Sequence, residues 1–333
     1  MILQRRIELL ARLGKYMNEN DLEWQTAKQK AAGVNPWFIP EFIEQASSSI
    51  STQFLDKTKL ETWVSQYEVP SIHERPKKIG LVMAGNIPMV GFHDMLCIFI
   101  SGHRQVIKLS SKDEVLIPHL VAKMITWDSE VEELILFADK LTNCEVYIAT
   151  GSNNSSRYFE YYFGKFPHII RRNRTSVAIL DGNEITPELE QLADDVLMYF
   201  GLGCRNVTKL YVPEGYHFEP LLKVLNKYEH FMDYHKYRHN YDYQLALLMM
   251  GNKMYMTNGV TLLNQNESVF TAISQLHYQY YTGMEQLLES LKGNEDIQCI
   301  VSKSGIPFGS AQTPSLTDYA DGVDTMKFLT ELN

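Results

Sequence analysis

From Lys77 onward the chain alternates short apolar runs with longer segments of helical periodicity, and this alternation admits few folds. Strands are expected over residues 78–84, 105–109, 144–149, 176–180, 207–213 and 297–302, with further strand-like residues over 254–263. Helices are expected between them, over 89–100, 116–127, 154–163, 186–199, 218–228, 243–250 and 284–291. Strands joined through helices of that length are crossover-connected rather than paired in hairpins. The expected class is therefore α/β, with parallel sheets covered by helices on both faces. Residues 1–76 follow a different pattern. Three apolar stripes (Leu3, Ile7, Leu10, Leu13 and Met17; Phe38, Phe42, Ala46 and Ile50; Leu60, Val64 and Tyr67) predict helices, followed by a proline-containing connector over 69–76. The expected organisation is a helical layer over 1–76, a first α/β region over 77–203, a second over 204–310, and a C-terminal segment over 311–333 that could join a partner's sheet edge.

Ligands of parallel sheets bind at the carboxyl ends of the strands. The segments that follow the first strands are therefore the candidates: Gly85-Asn86-Ile87-Pro88, Lys108-Leu109-Ser110-Ser111-Lys112 and Thr150-Gly151-Ser152-Asn153. None contains the G-x-G-x-x-G dinucleotide fingerprint or a G-x-x-x-x-G-K-[ST] phosphate loop. In the second region Cys204 follows Gly201-Leu202-Gly203, between a helix and a strand. Glycines there allow a sharp turn that could present a thiol to a cleft, although a cysteine in that place can equally be a small buried hydrophobe. Cys97, Cys144 and Cys299 lie in apolar runs and read as core. Four scattered cysteines without a C-x-x-C pair fit a reducing compartment and no zinc site. His235 and His239 would share a helical face in a Tyr/His-rich stretch, but nothing completes a metal motif, and a polar aromatic helix is expected. His93 reads as a core histidine. The net charge of −9 argues against nucleic-acid or anionic-membrane partners. The N-terminus lacks a signal-peptide h-region and the longest apolar run is too short to span a bilayer, so a cytoplasmic protein is expected.

Together these segments resemble the acyl-CoA reductases that make fatty aldehyde for bacterial bioluminescence, a branch of the aldehyde dehydrogenase superfamily. Gly85-Asn86-Ile87-Pro88 is similar to the superfamily's Pro-Trp-Asn-Phe-Pro turn, with Asn86 matching its oxyanion asparagine. Val106-Ile107-Lys108-Leu109-Ser110 is similar to its Lys-Pro-Ser/Ala-Glu segment, Thr150-Gly151-Ser152 to its Thr-Gly-Ser turn, and Gly203-Cys204 to its nucleophile segment. The run from Leu316 to Thr325 is similar to the acyl-CoA reductase branch. The resemblance implies an aldehyde-dehydrogenase-like fold, with an NAD(P)-binding Rossmann-like domain over 77–203 and a catalytic domain over 204–310. It also implies a cysteine nucleophile at Cys204, an oxyanion donor at Asn86, and cofactor contacts from Gly85, Ile87, Pro88, Lys108, Ser110, Ser111, Lys112, Gly151 and Ser152. No metal is implied.

The departures refine the implied activity. Many aldehyde dehydrogenases carry a glutamate upstream of the cysteine that activates water; Arg171 stands in its place, within Arg171-Arg172-Asn173-Arg174. A thioacyl-enzyme without that base should wait for hydride, which favours reduction of an acyl-CoA to a fatty aldehyde. Ser111 replaces the acid that would hold the adenosine ribose. With Lys108 and Lys112 beside it, this favours NADPH over NADH. Arg205, Arg171 or Arg172 could favour the thiolate if they face it, and Asp296 could contact the nicotinamide ribose. The alternatives are aldehyde oxidation, acyl-phosphate reduction, or an inactive acyl-binding scaffold. The implied partners are an acyl-CoA substrate, further copies of the chain in a homo-oligomer, and a protein that activates or transfers the acyl group.

Overall fold

The computed structural model describes residues 1–332. They divide into two compact units, residues 1–173 with the segment from Pro314 onward, and residues 174–313.

The first unit is built on five parallel strands: β1 (Lys78–Val82), β2 (Arg104–Lys108), β3 (Ile135–Phe137), β4 (Val146–Thr150) and β5 (His168–Arg171). Their order is β3-β2-β1-β4-β5, so the winding reverses between β1 and β4. Ile79, Leu81, Val106, Ile107, Ile148 and Ala149 are buried in it. Helix Phe92–Ser101 is apolar on almost every side and correspondingly buried. Helices Leu3–Asn18, Pro40–Ser49 and Lys57–Val64 match the three N-terminal stripes. A fourth, Leu22–Val34, was not expected. It buries only Trp24, Ala27 and Ala31, and two alanines make a weak stripe; Asp21 caps it through the Glu23 and Trp24 N–H groups.

The C-terminal segment, whose spacing suits either strand or helix, is helical. Thr325–Thr330 is a helix capped by Asp324, with Met326 and Leu329 buried one turn apart. The segment is tied to its own unit: Trp63 Nε1 donates to Tyr319 Oη at 2.8 Å, and Tyr67 Oη to Asp324 Oδ2 at 2.9 Å.

The second unit holds six strands: β6 (Thr175–Ile179), β7 (Val207–Pro213), β8 (Met256–Thr257), β9 (Leu262–Gln265), β10 (Gln275–Tyr281) and β11 (Ile297–Val301). Their order is β11-β6-β7-β10-β9-β8, parallel except for the β8–β9 pair. The expected boundary at 203/204 moves to 173/174, and that at 310/311 to 313/314. The cause is strand pairing: β6 bonds to β7 and β11, so it and the following helix Thr186–Leu197 belong with the cysteine. No helix among the described residues is long and apolar enough to cross a membrane.

Candidate active site

In the first unit the loops after β1 and β2 are in contact. Met83 N–H donates to the Lys108 carbonyl at 3.0 Å. Gly85 sits so close to the second loop that a Cβ there would stand 2.6 Å from Ser110 Oγ and 3.3 Å from Lys112 Cβ. Only glycine leaves room for that approach. The same turn carries half-buried Asn86 and buried Pro88, and ends at Met89, held at φ 54°. A methionine in left-handed backbone is strained and needs a clamp. Asp113 supplies it, its Oδ2 accepting from Met89 N–H at 2.7 Å. Burial pushes the Asp113 carboxyl up to about 6, against the Met89 and Leu116 N–H groups that pull it down. Asp113 escaped the sequence reading because it lies one residue beyond the post-strand segment that was singled out.

Across the switch point, β4 ends at Thr150, and Ser152 caps helix Asn153–Phe163, its Oγ accepting from Ser155 N–H at 3.3 Å. That helix N-terminus favours an anion. Lys108, Ser111, Lys112 and Ser152 are exposed. The structure thus joins Gly85, Ser110 and Lys112 directly, and sets Gly151 and Ser152 just past the end of β4, the strand beside β1. Arg171 is corrected as a cation for the thiol. It ends β5 fully buried, Nη1 donating to Asp94 Oδ2 at 2.6 Å and Nη2 to Thr325 Oγ1 at 2.8 Å, so its guanidinium is spent inside the first unit. Arg172 is exposed.

In the second unit Cys204 is half-buried on the loop from helix Thr186–Leu197 to β7. Three consecutive residues, Tyr199, Phe200 and Gly201, take φ values of 56°, 55° and 74°. Glycine adopts such a conformation readily, whereas for each of the two aromatics it costs roughly 1–2 kcal/mol. The buried Phe200 ring recovers part of this by packing edge-on to Phe231 at 4.5 Å. Asn206, also fully buried, fixes the rest of the loop. Its Nδ2 donates to the carbonyls of Asp195, Val196 and Met198 at 3.1, 3.3 and 2.8 Å, and its Oδ1 accepts from Gly203 N–H at 2.8 Å. Ser176 Oγ donates to the Cys204 carbonyl at 3.0 Å. Buried Asp195 accepts from the N–H groups of Gly309 and Ala311 at 2.6 and 3.0 Å, and burial pushes its carboxyl up to about 7. None of these polar supports was singled out from sequence. An Asn two residues past the cysteine was the available signal.

Cys97 and Cys144 are core residues whose thiols burial pushes up, whereas Cys299 is half-buried, with Sγ 3.0 Å from Ser176 Oγ. That corrects its reading as core. His93 stacks on Phe54 and Tyr319. His235 and His239 stand 6.2 Å apart between ring centroids, and no metal-ligating cluster occurs among the described residues.

No family model and no curated protein matches the chain. Solved structures do. An NAD-dependent aldehyde dehydrogenase from Sinorhizobium meliloti superposes with a TM-score of 0.66 at 10% identity, over 91% of this chain and 70% of that one. A mutant of the P. syringae indole-3-acetaldehyde dehydrogenase AldA, in complex with NAD+ and IAA, gives 0.66 at 10% identity, over 91% and 72%. A Mycobacterium tuberculosis aldehyde dehydrogenase complexed with NAD+ gives 0.64 at 14% identity, over 95% and 77%. The fold of this chain is that of the aldehyde dehydrogenases.

Proposed function

We propose that the chain is a nicotinamide-dependent oxidoreductase that reduces an acyl-CoA to an aldehyde through a thioacyl-enzyme on Cys204. The observation that carries this is a half-buried thiol on a strained, polar-clamped turn in an aldehyde dehydrogenase fold. In this reading the Cys204 thiolate attacks the thioester carbonyl, and the Asn86 amide and the Cys204 N–H donate to the oxyanion. The C–S bond to CoA breaks and CoA leaves as its thiolate. Loss of one oxyanion donor would cost roughly 10²–10³ in kcat.

The residues present fit a dinucleotide. The Gly85 contact with Ser110 leaves backbone rather than side chain at the β1 exit, and the Ser152-capped helix N-terminus suits a pyrophosphate. Gly85, Ile87, Pro88, Ser110, Gly151 and Ser152 would hold it, with Lys108, Ser111 and Lys112 selecting the 2′-phosphate of NADPH. When bound, the reduced nicotinamide supplies hydride to the acyl carbon. The C–S bond to Cys204 then breaks, releasing aldehyde and restoring the thiolate. Arg171 favours this outcome over hydrolysis. Locked to Asp94, it takes no proton from water at the place where oxidising relatives carry a glutamate. A long-chain acyl group is part of the proposal.

The test is to mix the protein with NADPH and acyl-CoAs of graded chain length and follow absorbance of the reduced cofactor. Cofactor consumption, with an acyl adduct on Cys204 by intact mass when NADPH is omitted, is expected. No consumption at any chain length and no adduct would refute the proposal, as would full activity in Cys204→Ala.

A further inference from the structure

We infer that Asn206 is a positioning residue for the Cys204 nucleophile: its carboxamide masks three carbonyls at the end of helix Thr186–Leu197 and thereby fixes the thiol-bearing loop. The inference rests on the proposed role of Cys204 and deepens it.

A helix C-terminus leaves its last carbonyls without intrahelical partners, and together they carry a partial negative charge. Here the chain reverses through the left-handed turn at Tyr199–Gly201 and brings Asn206, two residues past Cys204, onto those carbonyls. Unmasked, they would disfavour a thiolate in the loop. Asn206 Nδ2 meets the carbonyls of Asp195, Val196 and Met198, while its Oδ1 takes the Gly203 N–H, one residue before the cysteine. Asn206 N–H donates to the Gly203 carbonyl at 3.1 Å, closing a tight loop around Cys204. Its own carbonyl accepts from Ser176 N–H at 3.0 Å, tying that loop to β6. One fully buried residue therefore ties the helix end and the residue before the nucleophile through its side chain, and β6 through its backbone. Alanine would remove the donor and the acceptor together. Aspartate would keep the acceptor for Gly203 but set a carboxylate against the helix carbonyls.

The test reads Cys204 directly. Alkylation of the full-length chain by iodoacetamide is followed between pH 6 and 10, with the Cys204 peptide resolved by mass spectrometry from those of Cys299, Cys97 and Cys144. Asn206→Ala is expected to slow Cys204 alkylation at pH 7 by about tenfold, the equivalent of moving its titration up by about one pH unit. Asn206→Asp should move it further in the same direction. Leu263→Ala, a core truncation on β9, serves as a control for lost stability and should leave the Cys204 profile unchanged. Should Asn206→Ala fail to fold, Asn206→Ser gives the same comparison with one donor retained, and an intermediate shift is expected. A wild-type alkylation profile in the Asn206 variants, with stability lost as in Leu263→Ala, would overturn the inference. Alkylation requires neither acyl-CoA nor NADPH, so failure of the proposed reaction would appear separately, as wild-type protein that consumes no cofactor.

Discussion

Arg171→Met should unfold the first unit far more readily than wild type, and Arg171→Met/Asp94→Leu should largely restore it. Arg171 is 2% exposed and Asp94 8%, and their charges meet at 2.6 Å. Removing the guanidinium strands the Asp94 carboxylate, which costs about 3–5 kcal/mol; removing both charges in favour of apolar groups of similar volume costs little or even stabilises. All four tryptophans (Trp24, Trp37, Trp63 and Trp127) lie in the first unit, so their fluorescence in urea isolates its transition. With an m-value of about 2 kcal/mol/M, the single variant's midpoint should fall by about 2 M, and the double variant's by less than about 0.5 M. A single variant within about 0.5 M of wild type, or a double variant as unstable as the single, would refute the reasoning. The pair also bears on the reaction. Arg171→Glu sets two carboxylates side by side in a dry site, so it should destabilise the unit rather than install a water-activating base. Aldehyde oxidation gained in that variant would contradict this.

Three further outcomes follow from other buried contacts. Gly85→Ala forces a Cβ to within 2.6 Å of Ser110 Oγ, so NADPH affinity should fall about tenfold or more while Cys204 acylation by acyl-CoA persists; cofactor fluorescence titration and intact mass check the two halves. Lys209 is fully buried with Nζ on the Glu267 carbonyl and Gln279 Oε1, and burial lowers it to about 8. The folded chain therefore holds this proton less tightly than the unfolded chain, and Lys209 should make stability rise between about pH 8 and 10.5; denaturation of Lys209→Met across that window should lack the rise. Asp113 is shifted the opposite way, held up at about 6, so its contribution is fully present below about pH 4 and lost as pH rises to 6. Urea midpoints read by tryptophan fluorescence, which follows the first unit and not Asp195 of the second, should fall more steeply from pH 4 to 7 in wild type than in Asp113→Asn.

The parallel α/β class was legible because it rests on periodicity alone. Helices Leu116–Trp127 and Met284–Leu291 and strand Val207–Pro213 occur where their apolar spacing puts them. What escaped has physical causes. Strand β3 has three residues, too few for any period, and β10, Gln-Leu-His-Tyr-Gln-Tyr-Tyr, is too polar to read as an interior strand. It is interior because it lies between β7 and β9, which composition does not encode. The domain boundary failed for a related reason. Residues 175–179 read as a strand like those before them, and only pairing with β7 and β11 assigns them to the second sheet.

The candidate site was legible in part, and the division follows the kind of force involved. Gly85 and Gly201 announce themselves, since close approach and positive φ are what glycine permits. Tyr199 and Phe200 do not, because left-handed backbone at an aromatic is imposed by its surroundings rather than preferred by the residue. The sequence reading therefore credited the turn before Cys204 to its glycines, whereas two of its three left-handed residues are bulky and must be held there. The holding groups are a buried amide and a buried carboxylate that bond to backbone: Asn206 at the cysteine and Asp113, through Oδ2, at the asparagine turn. In one dimension Asn and Asp read as turn or surface residues, and burial is what turns them into clamps. Strain at Met89 and at Tyr199–Phe200 persists only while those clamps hold. If the two turns carry the reaction, substitutions at Asp113 and Asn206 should impair it more than their distance in sequence from Asn86 and Cys204 would suggest.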